Sequence, residues 1–318
     1  MPGTEEDLAR IAADPSSPRR RDALRAMHRL PTLAPGTRAV IEAALDASDA
    51  SIRAVALRLI GQHGLPPPRA RDALRDPSPE VRIEALRMLA KHGPAGHDAA
   101  RSAFHDSDAE VVVEALHRLT GALTVDEALP LLSKERDPRV VKAAVSAIQR
   151  VKAEPLAAPL FEVVRRLDTH NNWGALCTQI SGGVAPREVR EAALELLLSR
   201  IEGQAAPTGV SWLDVRRLES FVRASNAPES ERASVVDALV RLTRHRDAFT
   251  RYDAAEVIRG LAVDHATRRF VLRDDVKEAL VALAPDTAMP VRSTGTGGQS
   301  TAWSVGRMAE KALDALLS

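Results

Sequence analysis

Large side chains are scarce in this chain of 318 residues. Phe, Trp and Tyr make up 3% of it, as Phe104, Phe161, Phe221, Phe249, Phe270, Trp173, Trp212, Trp303 and Tyr252. A core made almost wholly of Ala, Leu, Val and Ile fills thin layers better than one thick centre, which favours stacked helices. Cysteine is nearly absent: Cys177 stands alone, so an intrachain disulfide and a thiolate metal cluster are both excluded. There is no excess of either charge. Lys and Arg number 44 against 43 acidic residues, a net charge of +1, where a surface dominated by phosphate contacts usually shows a clear positive balance. Only 6 of the basic residues are Lys. Arginine suits planar recognition of phosphate or carboxylate, although a GC-rich genome accounts for an Arg-, Ala- and Pro-rich chain more simply. No apolar run is long enough for a signal peptide or a membrane span, so a cytoplasmic protein without membrane contact is expected.

What is present is a repeat, and a repeat overrides a domain count taken from length. Ala23, Ala56, Ala85, Ala115, Ala144, Ala193 and Ala254 fill one slot, with successive spacings of 33, 29, 30, 29, 49 and 61. The spacing of 49 reads as one unit plus an insertion, and 61 as two units with a degenerate one between. Around each anchor the apolar positions fall four before, one after and four after, as in Val81, Leu86 and Leu89. At about 100° per residue these positions share one arc, the mark of an amphipathic helix with a single buried stripe.

Helix starts are predicted where a capping side chain precedes proline, at Ser17-Pro18, Ser78-Pro79 and Asp137-Pro138. Stops are predicted at Gly61, Gly93 and Gly121. A shorter helix precedes each of the longer ones, as over 68–74 and 97–104. Two helices and two tight turns thus fill about 30 residues, and no strand pattern competes.

The run Asp76-Pro-Ser-Pro-Glu-Val-Arg82-Ile-Glu-Ala85-Leu-Arg-Met-Leu89 resembles the turn and second helix of a HEAT-like repeat, in the short form also seen in phycobilisome-lyase-type proteins. Segments 47–61, 106–121 and 137–148 resemble it well, and 189–197 and 250–258 more loosely. The resemblance implies an all-α fold: an armadillo-like α-solenoid of stacked two-helix repeats over 1–318. Regular repeats are expected over 1–152, an irregular repeat with an insertion over 153–209, and degenerate repeats with a C-terminal capping helix over 210–318.

Three residues before the anchor stands arginine in five units: Arg20, Arg53, Arg82, Arg190 and Arg251. Val112 and Val141 replace it in the other two. Aspartates recur in the neighbouring turns at Asp14, Asp49, Asp76, Asp106, Asp137 and Asp247, and the resemblance implies an Asp-Arg ladder between units. A structural role is expected for these residues, with ligand contact as the alternative.

Two residues after the anchor a helical position lies about 200° round and faces away from the buried stripe. That row reads Arg25, Arg58, Arg87, His117, Ser146, Glu195 and Glu256, from basic to acidic. By resemblance it follows the concave face and would attract an acidic peptide, a protein patch or phosphate at its basic end. Chance sorting of exposed, charge-rich positions is the plainer account.

Residues 168–183, Asp-Thr-His-Asn-Asn-Trp173-Gly-Ala-Leu-Cys177-Thr-Gln-Ile-Ser-Gly-Gly183, break the period with loop-forming chemistry. Trp173 there, and Trp212 beyond it, are candidate partner contacts. His170 and Cys177 lie seven residues apart, a weak basis for nucleophilic catalysis. The glycine-rich run 295–298 lacks the lysine of a P-loop and reads as a loop before the last helix, 303–317. The nine histidines show no metal spacing, and the His-Glu pairs of deoxyhypusine-hydroxylase-type HEAT enzymes are missing. The expected role is therefore that of a non-catalytic scaffold or adaptor for another protein, without a cofactor. A nucleic-acid binder resembling HEAT-like alkylpurine glycosylases, or a bilin lyase or chaperone, is the alternative.

Overall fold

The computed structural model describes residues 4–63, 68–90, 94–203, 212–292, 299–300 and 303–318. It is an α-solenoid of paired helices. No helix among these residues is long and apolar enough to cross a membrane. The chain separates into two compact units, Met1–Ile148 and Gln149–Ser318.

In the first unit the anchor alanines lie on α2 (Arg20–Met27), α4 (Ala50–Gln62), α6 (Pro79–Leu89), α8 (Ala109–Arg118) and α10 (Pro138–Ile148). Each of these second helices packs on the next. First helices, shorter than their partners in every pair but the first, cover the other side: α1 (Glu5–Ala13), α3 (Pro35–Ala43), α5 (Pro68–Ala73), α7 (Pro94–Ser102) and α9 (Val125–Ala128). Ala56, Ala85, Ala115 and Ala144 have no exposed surface, and the apolar residues one and four places beyond them are buried with them. Alanine is required at the seam because any larger side chain would push successive helices apart in an interior packed to crystal-like density.

Asp49 caps α4 by accepting from Ser51 N at 2.8 Å, and Asp108 caps α8 by accepting from Glu110 N at 2.8 Å. Two of the expected boundaries differ. Pro18 lies in a turn before α2, and the helix begins at Arg20. Gly61 does not end α4, which continues through it. A Cβ there would meet Met88 Cγ at 3.1 Å, so this glycine serves the close approach of α4 to α6. Gly121 does take the left-handed conformation of a stop, with φ +83°. Gly93 lies outside the described residues.

The second unit comprises α11 (Ala157–Arg166), α12 (His170–Ser181), α13 (Arg187–Gly203), α14 (Trp212–Arg223), α15 (Glu229–Leu242), α16 (Ala248–Val263), α17 (Arg268–Val271), α18 (Asp274–Leu283) and α19 (Val305–Leu317). The segment with loop chemistry is a full helix, α12, whose start is fixed by Thr169 accepting from Asn172 N at 3.3 Å. One row runs α12, α14, α16, α19, and α13 packs beside it with α11. Ala193 on α13 and Ala254 on α16 therefore occupy different layers. The spacing of 61 joins two positions that are not equivalent.

At the C-terminal end Val291–Arg292 pairs antiparallel with Gln299–Ser300. Ser304 then caps α19 by accepting from Arg307 N at 3.2 Å. Gly306 N donates to Asp286 O at 2.8 Å, and a Cβ on Gly306 would strike Ala284 O at 2.1 Å. The glycine-rich run lies outside the described residues.

Candidate functional site

Two arginine slots have different fates. In the slot three before the anchor, Arg53 clamps both ends of an interface. Its Nε and Nη2 each donate to Asp76 at 2.8 Å, and its Nη1 donates to Ala47 O at 2.8 Å and Ser48 O at 2.9 Å. Arg82 repeats this one layer on, with Nε and Nη2 donating to Asp106 at 2.7 Å and Nη1 to Asp76 O at 2.8 Å. One guanidinium thus closes its own turn and binds the next unit's carboxylate bidentately, the geometry in which arginine outperforms lysine. Burial alone raises the Asp76 carboxyl. The bonds from Arg53 and from Ser78 N outweigh it and hold the group below its ordinary value.

Arg251 makes the same bond to Asp286 at 2.7 Å. Arg190 pairs bidentately with Glu231, both distances 2.9 Å, so its acceptor is a glutamate on α15. Arg20 donates to Ala12 O at 2.9 Å and, among the described residues, meets no carboxylate of a following unit. Asp137 is no rung either. It binds Arg139 of its own turn, accepting from Nη2 at 2.9 Å and from the backbone N at 2.8 Å. The aspartates form two registers: Asp14, Asp76 and Asp106 lie nine before an anchor, whereas Asp49, Asp137 and Asp247 lie seven before one and serve the helix start.

The slot two after the anchor is on the outer face. Arg58 and Arg87 are half exposed, with 49% and 47% of the side chain accessible. Neither is free of counter-charge. Arg58 Nη2 pairs with Glu84, and Arg87 bridges Glu84 at 3.0 Å and Glu114 at 2.9 Å. Arg118 Nε also donates to Glu114, at 2.8 Å. Both glutamates are buried, at 4% and 6% exposure. Burial raises the Glu114 carboxyl, yet Arg87 and Arg118 bring it below its usual value.

Sequence reasoning missed Glu84 and Glu114. The available signal was a glutamate one residue before the anchor in two consecutive units, Glu84-Ala85-Leu86 and Glu114-Ala115-Leu116. His117 and Ser146 continue the exposed row, and Ser146 Oγ donates to Lys142 O at 3.0 Å. In the second unit Glu256 pairs with Arg216, and Glu195 lines a cleft of about 530 Å³ between α13 and α15. The expected gradient from basic to acidic is therefore largely compensated within the chain.

Arg25 differs. It is exposed and, among the described residues, meets no carboxylate. With His28, Arg29 and Arg58 it rims a cleft of about 280 Å³ whose floor is Val55 and Leu59.

Trp173, expected to touch a partner, is wholly buried. Its Nε1 donates to Asp168 Oδ1 at 2.9 Å, and the Arg217 guanidinium carbon lies 5.3 Å from its ring centre. Arg217 also binds Asp214 and approaches His170 Nδ1 at 3.4 Å. Trp212 opens α14, and its side chain lies outside the described residues. Cys177 is buried, which pushes its thiol up to about 11 despite a bond with Ser220. A thiol so placed stays protonated and is a poor nucleophile at neutral pH.

No protein-family model and no curated protein sequence matches the chain. Among solved structures it is similar to an engineered protein, with a TM-score of 0.56 at 18% identity over 99% of this chain and 89% of that one. It is also similar to Kap95p, in a structure describing the switch loops of RanGDP bound by it, with a TM-score of 0.56 at 13% identity over 99% of this chain and 45% of that one. Kap121p bound to RanGTP gives a TM-score of 0.55 at 12% identity, over 98% of this chain and 36% of that one. This chain spans less than half the length of either Kap protein. The likeness is one of fold, an α-solenoid of helical repeats.

Proposed function

We propose that the protein is an interaction scaffold or adaptor, and that the exposed face of α2, α4, α6 and α8 receives an acidic segment of another protein. The observation that carries the reading is the row Arg25, Arg58, Arg87 and His117, one residue from each successive helix, standing exposed or half exposed on one face. Stacked repeats offer an extended surface in place of a deep pocket, which suits protein recognition. The Kap proteins of similar fold bind Ran in their structures, which supports a protein partner as a class. Compensation of Arg58 and Arg87 by Glu84 and Glu114 weakens the field that a phosphate backbone would require, and so disfavours nucleic acid.

The test is a hydrogen-exchange footprint of the full chain with a partner isolated by affinity capture from the native cell. Protection is expected on α2, α4, α6 and α8. Protection confined to α3, α5 and α7, or to the second unit, would overturn the reading.

A further inference from the structure

The repeat contains its own template for a ligand. At the α4/α6 interface, Arg58 in the slot two after the anchor meets Glu84, one before the next anchor. At the α6/α8 interface, Arg87 meets Glu114 in the same relation, at 2.9 Å. Both carboxylates are nearly inaccessible, so each interface carries an internal acid held by arginines.

The α2/α4 interface has the arginine without the acid. Arg25 fills the first slot, and the position equivalent to Glu84 and Glu114 is Val55, 4% exposed. Val55 lines the cleft of about 280 Å³ that Arg25, His28, Arg29 and Arg58 rim, and brings no carboxylate to it. Among the described residues Arg25 and Arg29 make no ion pair. Three guanidinium groups around an aliphatic floor form a site to which the chain itself brings one carboxylate, Glu84 on Arg58, at the far edge.

We propose that this cleft binds a carboxylate side chain of an acidic protein segment, which takes at Arg25 the place that Glu84 and Glu114 take at Arg58 and Arg87. The apolar floor would receive the methylenes of the incoming glutamate, and Arg25 and Arg29 its two oxygens. This rests on the reading of the α2 to α8 face as the binding surface and specifies where on that face the anchoring contact falls.

Val55→Glu is the decisive variant. It supplies the missing carboxylate from within, without removing an arginine, and the fold tolerates glutamate in this slot at two neighbouring interfaces. Arg25→Ala is the companion, because Arg25 is exposed and its loss leaves the fold intact. The probe is a fluorescent hexaglutamate peptide titrated into the full chain, with a hexalysine peptide as control and inorganic phosphate as competitor. Both variants should weaken hexaglutamate binding by about tenfold or more, the scale of a lost charge-assisted bond. Arg165→Ala, on α11 of the second unit and already paired with exposed Glu162, should change it by less than about twofold.

No saturable binding, or binding unchanged in Val55→Glu and Arg25→Ala, overturns the proposal. Phosphate competing better than free glutamate overturns the carboxylate assignment. A hydrogen-exchange footprint separates the two readings. Protection of α6 and α8 that Val55→Glu leaves unchanged removes the cleft and keeps the face. Protection by the peptide on none of α2, α4, α6 and α8 removes both.

Discussion

The two units solve the same packing problem with different materials. Met1–Ile148 holds one aromatic residue, Phe104, and buries layer after layer of Ala, Val, Leu and Ile on a nearly constant period. Gln149–Ser318 holds the other eight, with Trp173, Phe221 and Tyr252 buried, and there the period fails. A thin layer is filled by small residues, and each layer can resemble the last. A layer containing a tryptophan needs its own neighbours, here Asp168 and Arg217, and is not interchangeable with the next. The ion-pair rungs follow suit only in part: Arg53 and Arg82 bind aspartates of the next turn and Arg251 in the second unit still binds Asp286, whereas Arg190 binds Glu231 inside a helix start.

The sharpest way to break this comparison is to empty the second unit's irregular layer. Trp173→Ala should cost about 3–5 kcal/mol, the range for a buried aromatic, with amide protection lost first in α12 and α14. Loss spread evenly over the second unit would show that Trp173 is not local to its layer. Next in size, Arg190→Ala leaves Glu231 buried and unpaired and should cost about 3 kcal/mol in denaturant unfolding. An effect under about 1 kcal/mol would make that pair ornamental.

In the first unit, Ala85→Leu and Ala115→Leu should each cost about 1–3 kcal/mol through overpacking. Unequal costs would argue against equivalent layers. Acid tests the rung at Asp76. The folded state lowers this carboxyl, so the contribution is complete above the unfolded value of about 3.9 and is lost as pH falls through the folded one. The stability gap between wild type and Asp76→Asn should accordingly be largest near neutral pH and shrink below about pH 4. Smallest of all, Arg165→Ala should shift stability by less than about 0.5 kcal/mol, because Arg165 and Glu162 are both exposed.

The seam was legible in the sequence because alanine at a close helix contact leaves a strict signal, one alanine per unit with apolar residues at fixed offsets. Arg53 and Arg82 shared a slot in the sequence and share a geometry in the structure. Their acceptors were harder to sort. Aspartate serves a turn and a helix cap equally well, so Asp76 and Asp137 look alike until the offset of two residues is noticed. Gly61 was misread because glycine marks both helix ends and close approaches, and only Met88 across the interface decides which.

The segment 168–183 looked like a loop because Asn and Gly are poor helix formers, yet burial of Trp173, Leu176 and Ile180 overrides local preference. The compensation of Arg58 and Arg87 could not be read from their own row, since the glutamates that hold them come from the position next to the buried anchor. Val55 gave no signal at all until Glu84 and Glu114 showed what stands in that slot one and two units on.

The account depends on successive layers being keyed to each other by partly buried arginine rungs. A double-mutant cycle on Arg82→Ala and Asp106→Ala, followed by denaturant unfolding of the full chain, measures that coupling directly. A coupling energy of about 2 kcal/mol or more is expected for a bidentate pair this sheltered. Additive single effects, with coupling near zero, would contradict it.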